Sequence, residues 1–306
     1  MIVIVCPGQG SQTPGFLNPW IERPGVAELL GTLSDACEVD LVTHGTLSDA
    51  DTIRDTAIAQ PLIVAAGIVT LNALAEDNGL AHVGGIAGHS VGEFTAAVGA
   101  GVLEAGDAVR LVGIRGRAMA QAAALVDTGM SAVIGGDEAA VIASVRERAL
   151  FPANFNGGGQ LVVAGNIADL VALADNPPAG SRVIPLQVAG AFHTSFMSSA
   201  VSALQSAAAE VTTRDPSMAL WTNQDGSLVT DGRVFRDLLV GQVASPVRWD
   251  QCMQSFEAAN VSGIIEVSPA GALVGLAKRG LKGVPAVAIK TPDDLAAARE
   301  LLATTP

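Results

Sequence analysis

The stretch Gly88-His89-Ser90-Val91-Gly92 constrains this chain more than any other. An uncharged run from Val83 to Ala87 precedes it and reads as a short buried strand, while Glu93 to Ala100 follows and reads as a helix. A strand that turns straight into a helix needs a sharp bend. Glycines two residues either side of the serine omit side chains that would collide with neighbouring backbone. Such a bend presents the Ser90 hydroxyl in the open, with the unpaired N–H groups of a helix start behind it. A purely structural turn is the competing reading, and the strand-then-helix context weighs against it.

The remaining segments alternate in the same manner. Met1 to Val5 reads as a first strand, followed by the glycine-rich loop Pro7-Gly8-Gln9-Gly10-Ser11-Gln12. That loop lacks the Lys-Ser/Thr ending of a phosphate loop and is a weak dinucleotide match. Asp35 to Asp55 predicts short helices and turns, and from Ala59 the pair Gln60-Pro61 opens a long apolar helix with proline in its first turn. Asp107 to Leu125 predicts a helix carrying Arg110, Arg115 and Arg117. Gly263 to Val267 reads as a buried strand and Ala272 to Arg279 as a helix. Between them the texture changes: strands at Met130–Ile134, Phe151–Phe155, Leu161–Ala164 and Arg182–Leu186 interleave with helical patterns at Glu138–Arg148 and Ile167–Ala174. The order β-α-β-β-α-β predicts a small ferredoxin-like α+β unit over 128–190, inserted in a large α/β-hydrolase-like domain of 1–127 and 191–306 with a mainly parallel sheet.

Composition narrows the function classes. A hydrophobic fraction of 49% over 306 residues supports a substantial core. Lys plus Arg number 17 against 30 Asp plus Glu, a net charge of -13, which argues against a nucleic-acid partner. Cys6, Cys37 and Cys252 are scattered without C-x-x-C spacing, which points to a reducing compartment and away from disulfides or a thiolate metal site. The start of the chain has no basic leader, so no secretory signal is expected and a cytoplasmic location is. Thr56 to Ala75 carries no charge and is long enough to cross a bilayer, but Gln60, Pro61, Thr70 and Asn72 interrupt it and no basic cluster flanks it. It reads as a buried helix of a soluble protein, with no membrane partner.

A serine hydroxyl needs a base, and histidine is the usual one near neutral pH. Of His44, His82, His89 and His193, the first two lie in a turn region and before a strand, and side chains adjacent on a sharp elbow diverge. His193 is left as the best candidate, with a satisfied structural histidine as the alternative. No acid between Ser90 and His193 stands out as a third member, so a neutral acceptor such as a backbone carbonyl could orient the ring. From the residues alone, Arg115 reads as a solvated or ion-paired side chain.

Five motifs, Pro7-Gly8-Gln9-Gly10-Ser11-Gln12, Gly88-His89-Ser90-Val91-Gly92-Glu93, Arg115-Gly116-Arg117-Ala118-Met119, Gly190-Ala191-Phe192-His193 and Gln242 through Pro246-Val247-Arg248-Trp249, resemble in order those of the malonyl-CoA:acyl carrier protein transacylases. The resemblance covers nearly the whole chain. It implies that Ser90 is the acylated nucleophile and His193 its base, that the Gln242 carbonyl orients the imidazole, and that the N–H groups of Gln9 and Val91 form an oxyanion hole. It implies that Arg115 grips the free carboxylate of malonate, that Met119 and Phe192 contact substrate, and that Phe192 disfavours an α-methyl group. The partners implied are a CoA thioester and a phosphopantetheinylated acyl carrier protein, with no cofactor and no metal. Lys278, Arg279 and Lys282 are the expected docking patch for that acidic carrier, an ordinary solvated helix end being the competing reading. Acyltransferases of polyketide or malonate-decarboxylase machinery share these motifs; a serine hydrolase and a catalytically silent binding subunit are the further alternatives.

Overall fold

Five short strands build one parallel sheet in the computed structural model, which describes residues 1–304, the side chains of residues 77 and 78 apart. They are β1 (Ile2–Cys6), β2 (Val83–Gly88), β7 (Ala219–Trp221), β8 (Gly263–Glu266) and β9 (Ala286–Ala288), in spatial order β7-β2-β1-β8-β9. β1 is buried along its whole length, as a central parallel strand covered on both faces must be. The sheet's register places Cys6 beside Gly88 and Trp221 beside Ala87, so the chain leaves three neighbouring strands at the same carboxyl edge. In open α/β sheets that edge is where ligands bind.

The second sheet is antiparallel and comes wholly from the middle of the chain: β3 (Thr128–Gly135), β4 (Phe151–Gly157), β5 (Gln160–Asn166) and β6 (Ser181–Pro185), in order β4-β5-β3-β6. With helices Glu138–Glu147 and Ile167–Asp175 this is the β-α-β-β-α-β ferredoxin-like arrangement. β4 is clipped to the rest of the molecule: Phe155 N–H donates to the Val247 carbonyl at 2.8 Å and Val247 N–H to the Ala153 carbonyl at 2.9 Å.

The uncharged helix Thr56–Ala75 lies inside the fold, packed on helix Ala105–Ala123, and 16 of its residues are buried. It is long and apolar enough to cross a membrane, yet its apolar surface is buried in the core. Its start corrects the expectation above. The helix begins at Thr56, capped by the Asp55 carboxylate accepting from Ala57 N–H at 2.8 Å, so Pro61 stands inside it. An Asp–Thr pair in an acidic segment reads as charge, and only the backbone shows it to be a cap. Gly116 lets the two helices touch, since a Cβ there would lie 2.8 Å from the Thr56 carbonyl oxygen. That approach sets Arg115 against Gln60.

Candidate active site

Residues that follow β1, β2 and β7 meet at the carboxyl edge. A Cβ on Gly88 would sit 2.0 Å from the Gly92 carbonyl carbon, and one on Gly92 2.1 Å from the Cys6 carbonyl oxygen. Both positions are therefore closed to any side chain. Ser90, between them, has φ +52°, a left-handed conformation that costs an L-residue about 1 kcal/mol or more. Asn223, two residues past β7, holds the bend: its Oδ1 accepts from Ser90 N–H at 2.6 Å and its Nδ2 donates to the Gly88 carbonyl at 2.5 Å.

Ser90 Oγ lies 2.7 Å from His193 Nε2. His193 is itself left-handed at φ +61°, and its Nδ1 lies 2.9 Å from the Gln242 carbonyl oxygen. A carbonyl only accepts, so Nδ1 carries the proton and Nε2 offers its lone pair to the hydroxyl. Burial, then the charge of Arg115, hold the His193 pKa down to about 3 against the pull of that carbonyl. The imidazole is neutral at pH 7. His89 also borders the site but is engaged elsewhere, its Nε2 2.9 Å from Asn156 Oδ1, and burial depresses its pKa.

Arg115 is 1% exposed. It donates to Gln60 Oε1 at 2.6 Å, to Gln242 Oε1 at 2.9 Å and toward Ser90 Oγ at 3.5 Å, while its Nε has no partner. Burial lowers its pKa to about 10, with Glu93 opposing, so the guanidinium stays charged. Glu93 sits across Gln242: its carboxylate accepts from Gln242 Nε2 and, at 2.6 Å, from Asn223 N–H. Burial raises the Glu93 pKa to about 7.

Ser90 and His193 open into a small cavity of about 80 Å³ shared with Gln9, Val91, Arg115, Met119 and Phe192. Met130, Asn154 and Val162 of the ferredoxin-like unit close its other side, with Leu186 and Val188. The N–H groups of Gln9 and Val91 have no acceptor among the described residues. The Gln9 side chain is turned away, donating to the Arg54 carbonyl and the Thr56 hydroxyl at 3.3 Å each, which pins its loop. Larger cavities of about 500 Å³ on the His193 side and 450 Å³ on the Gln9 side flank the small one. Lys278, Arg279 and Lys282 are exposed on and just after helix Ala272–Gly280, where Arg279 packs on Gly158; they line none of these cavities. Among the described residues no cluster of three His, Cys, Asp or Glu could hold a metal, and the three cysteines are free and buried.

Gln60, Glu93 and Asn223 join the site without having been singled out for it. A glutamine and a carboxylate in otherwise apolar runs were the available signal for the first two. Asn223 offered none, because its partners lie more than 130 positions away.

A hydroxyl on a strained elbow, a neutral imidazole aimed at it, two free N–H groups and an unpaired guanidinium define an α/β enzyme fit for acyl chemistry on an anionic substrate. The model of the acyl transferase domain family matches residues 3–291. A Mycobacterium tuberculosis protein named malonyl CoA-acyl carrier protein transacylase is 49% identical over 296 residues, covering 96% of this chain and 98% of that one. The chain belongs to the malonyl CoA-acyl carrier protein transacylases of the acyl transferase family. The crystal structure of MCAT from M. tuberculosis superposes with a TM-score of 0.95 at 48% identity, over 98% of this chain and 99% of that one. A malonyl-transacylase solved with its type II PKS acyl-carrier protein gives 0.91 at 29% identity, over 98% and 99%.

Proposed function

We propose that the protein moves the malonyl group of malonyl-CoA to the phosphopantetheine thiol of an acyl carrier protein, through a malonyl ester on Ser90, and so supplies fatty-acid or polyketide synthesis. The observation that carries this reading is the meeting, in one small cavity, of the 2.7 Å Ser90–His193 contact with a buried guanidinium whose Nε is unpartnered.

In this reading His193 Nε2 takes the Ser90 proton as Oγ attacks the thioester carbonyl. The N–H groups of Gln9 and Val91 receive the oxyanion, and the proton passes to the departing CoA sulfur. One such donor is worth roughly a hundredfold to a thousandfold in rate. The carrier's thiol then repeats the sequence in reverse. Arg115 pairs with the malonyl carboxylate and, once paired, no longer opposes a positive charge on His193. Substrate carboxylate and base strength are coupled in this way. Phe192 and Met119 bound the acyl space, and the Gln242 carbonyl keeps the imidazole in its working tautomer. A cavity this small supports exclusion of water from the ester. The scheme calls on no cofactor, and the free, buried cysteines favour a cytoplasmic setting. We assign carrier docking to Lys278, Arg279 and Lys282 on their charge alone.

The test is mass spectrometry of the intact protein after brief exposure to malonyl-CoA. A malonyl adduct on Ser90 that is absent in Ser90→Ala and discharged by carrier protein is expected; rapid loss to water instead would make the protein a hydrolase.

A further inference from the structure

Arg115 is fully buried, yet none of its hydrogen bonds reaches a carboxylate. Its partners are two amide oxygens and, at 3.5 Å, the Ser90 hydroxyl, although buried charges are ordinarily paired. The missing anion is one amide further on. Gln242 turns Oε1 to Arg115 and Nε2 to Glu93, so the two ends of a single amide join a buried cation to a carboxylate that is itself 1% exposed.

The two charged groups face different spaces. Arg115 lines the Ser90 cavity, whereas Glu93 lines a separate cavity of about 370 Å³ with Thr222, Gln224, Asp237, Ser245 and Arg248. A proton has a route to Glu93 that does not cross the acyl site.

We propose that Glu93 is the resident counter-ion of Arg115, linked through Gln242, and that it takes up a proton through the second cavity when a malonyl carboxylate displaces it as Arg115's partner. The inference rests on the malonyl-transfer reading above. In the acylation step the Ser90 Oγ–C bond forms, the C–S bond breaks and the serine proton leaves on CoA, so that step is proton-neutral. The extra proton comes from water and balances the carboxylate carried into the buried cluster.

The groups around Glu93 leave it as the one that titrates. Arg115 stays cationic, with a pKa of about 10, and His193 stays neutral, with a pKa of about 3. Burial pushes the Cys252 thiol well above its ordinary range. At the cavity wall Asp237 pairs with Arg236 and Arg248 with Asp250, each at 2.8 Å. His89 is bonded to Asn156. Glu93, raised by burial to about 7, is half-protonated near neutrality. A second negative charge on Arg115 raises it further, by on the order of one pH unit at an effective dielectric of about 20. A group whose pKa rises on binding favours binding at low pH, so malonyl loading weakens as pH climbs through about 7 and 8.

The experiment mixes stoichiometric malonyl-CoA with the intact enzyme in lightly buffered solution near pH 7 and reads proton uptake, with mass spectrometry of the adduct alongside. Uptake of roughly 0.3 to 0.5 proton per malonyl-Ser90 is expected in the wild type. Glu93→Gln should acylate more slowly with no uptake, and Glu93→Asp should restore part of it. If Glu93→Gln fails to fold, carboxyl resonances of the wild type labelled with 13C-glutamate decide the matter: one should move to the protonated position on acylation. Wild-type adduct without uptake, uptake undiminished in Glu93→Gln, or no shifted resonance overturns the inference. Absence of any wild-type adduct instead overturns the malonyl-transfer reading.

Discussion

Replacing Arg115 by alanine separates recognition of the carboxylate from the acyl chemistry. On the proposed reading a malonyl carboxylate would meet a guanidinium that is 1% exposed, with Nε unpartnered and one terminal nitrogen pointing toward Ser90 Oγ at 3.5 Å. Removing one member of a buried ion pair costs about 3 to 5 kcal/mol, or roughly a hundredfold to several thousandfold in kcat/KM for malonyl-CoA. Acetyl-CoA carries no carboxylate and loses nothing by that route. Its rate should hold or rise, because the Arg115 charge is second only to burial in depressing the His193 pKa and the imidazole regains basicity without it. The substitution also orphans Gln60 Oε1 and Gln242 Oε1, at about 1 to 3 kcal/mol each where nothing replaces the donor, so stability must be measured alongside. The assay is the ratio of kcat/KM for malonyl-CoA to that for acetyl-CoA, with folding checked by circular dichroism. A folded variant whose ratio stays within threefold of wild type would refute the placement of Arg115 against the substrate carboxylate.

Gly92→Ala forces a methyl within 2.1 Å of the Cys6 carbonyl oxygen and 2.7 Å of that of Pro7, so a loss of more than about 2 kcal/mol in urea unfolding is expected; near-wild-type stability would mean the elbow is slack. For His193 the folded pKa of about 3 lies below the ordinary value of 6.5, so between those limits the unfolded chain binds a proton that the folded one refuses, and stability falls as pH drops. From pH 7 to 5 this contributes about 2 kcal/mol, with Glu93 acting in the opposite sense between 4.5 and about 7. His193→Gln should therefore lose less stability on acidification than wild type, and equal slopes would count against a buried neutral imidazole. Phe192 is 6% exposed and borders the acyl cavity, so Phe192→Ser should raise the methylmalonyl rate relative to malonyl by a factor worth about 1 to 3 kcal/mol; an unchanged ratio removes Phe192 from selectivity. Charge reversal at Lys278, Arg279 and Lys282 should raise KM for carrier protein several-fold at low salt and leave malonyl-CoA kinetics alone; unchanged carrier KM would move docking elsewhere.

What the sequence revealed and what it withheld divide along the range of the forces involved. The elbow was legible because its constraint is local: Gly88 and Gly92 stand four positions apart at the turn from strand to helix, and the collisions a side chain would make there are with nearby backbone. The alternation of strand and helix, and the antiparallel unit between Thr128 and Pro185, follow from periodicities of two and 3.6 that no distant residue can disguise. The start of the central helix was misplaced by three residues because Asp55 acts as a cap only once the backbone has turned. The charge network was illegible for a deeper reason. Glu93, Gln242, Arg115 and Gln60 come from four segments, and a buried polar atom takes its meaning from the partner that the fold supplies. Arg115 illustrates the point: apart from the family resemblance its helical setting reads as a solvated or ion-paired arginine, and only the fold shows it buried beside Ser90 with its Nε unpartnered, as the proposed grip on a carboxylate requires. Sequence locates the atom that can react, whereas the selection of what it reacts with resides in long-range contacts among residues that singly look unremarkable.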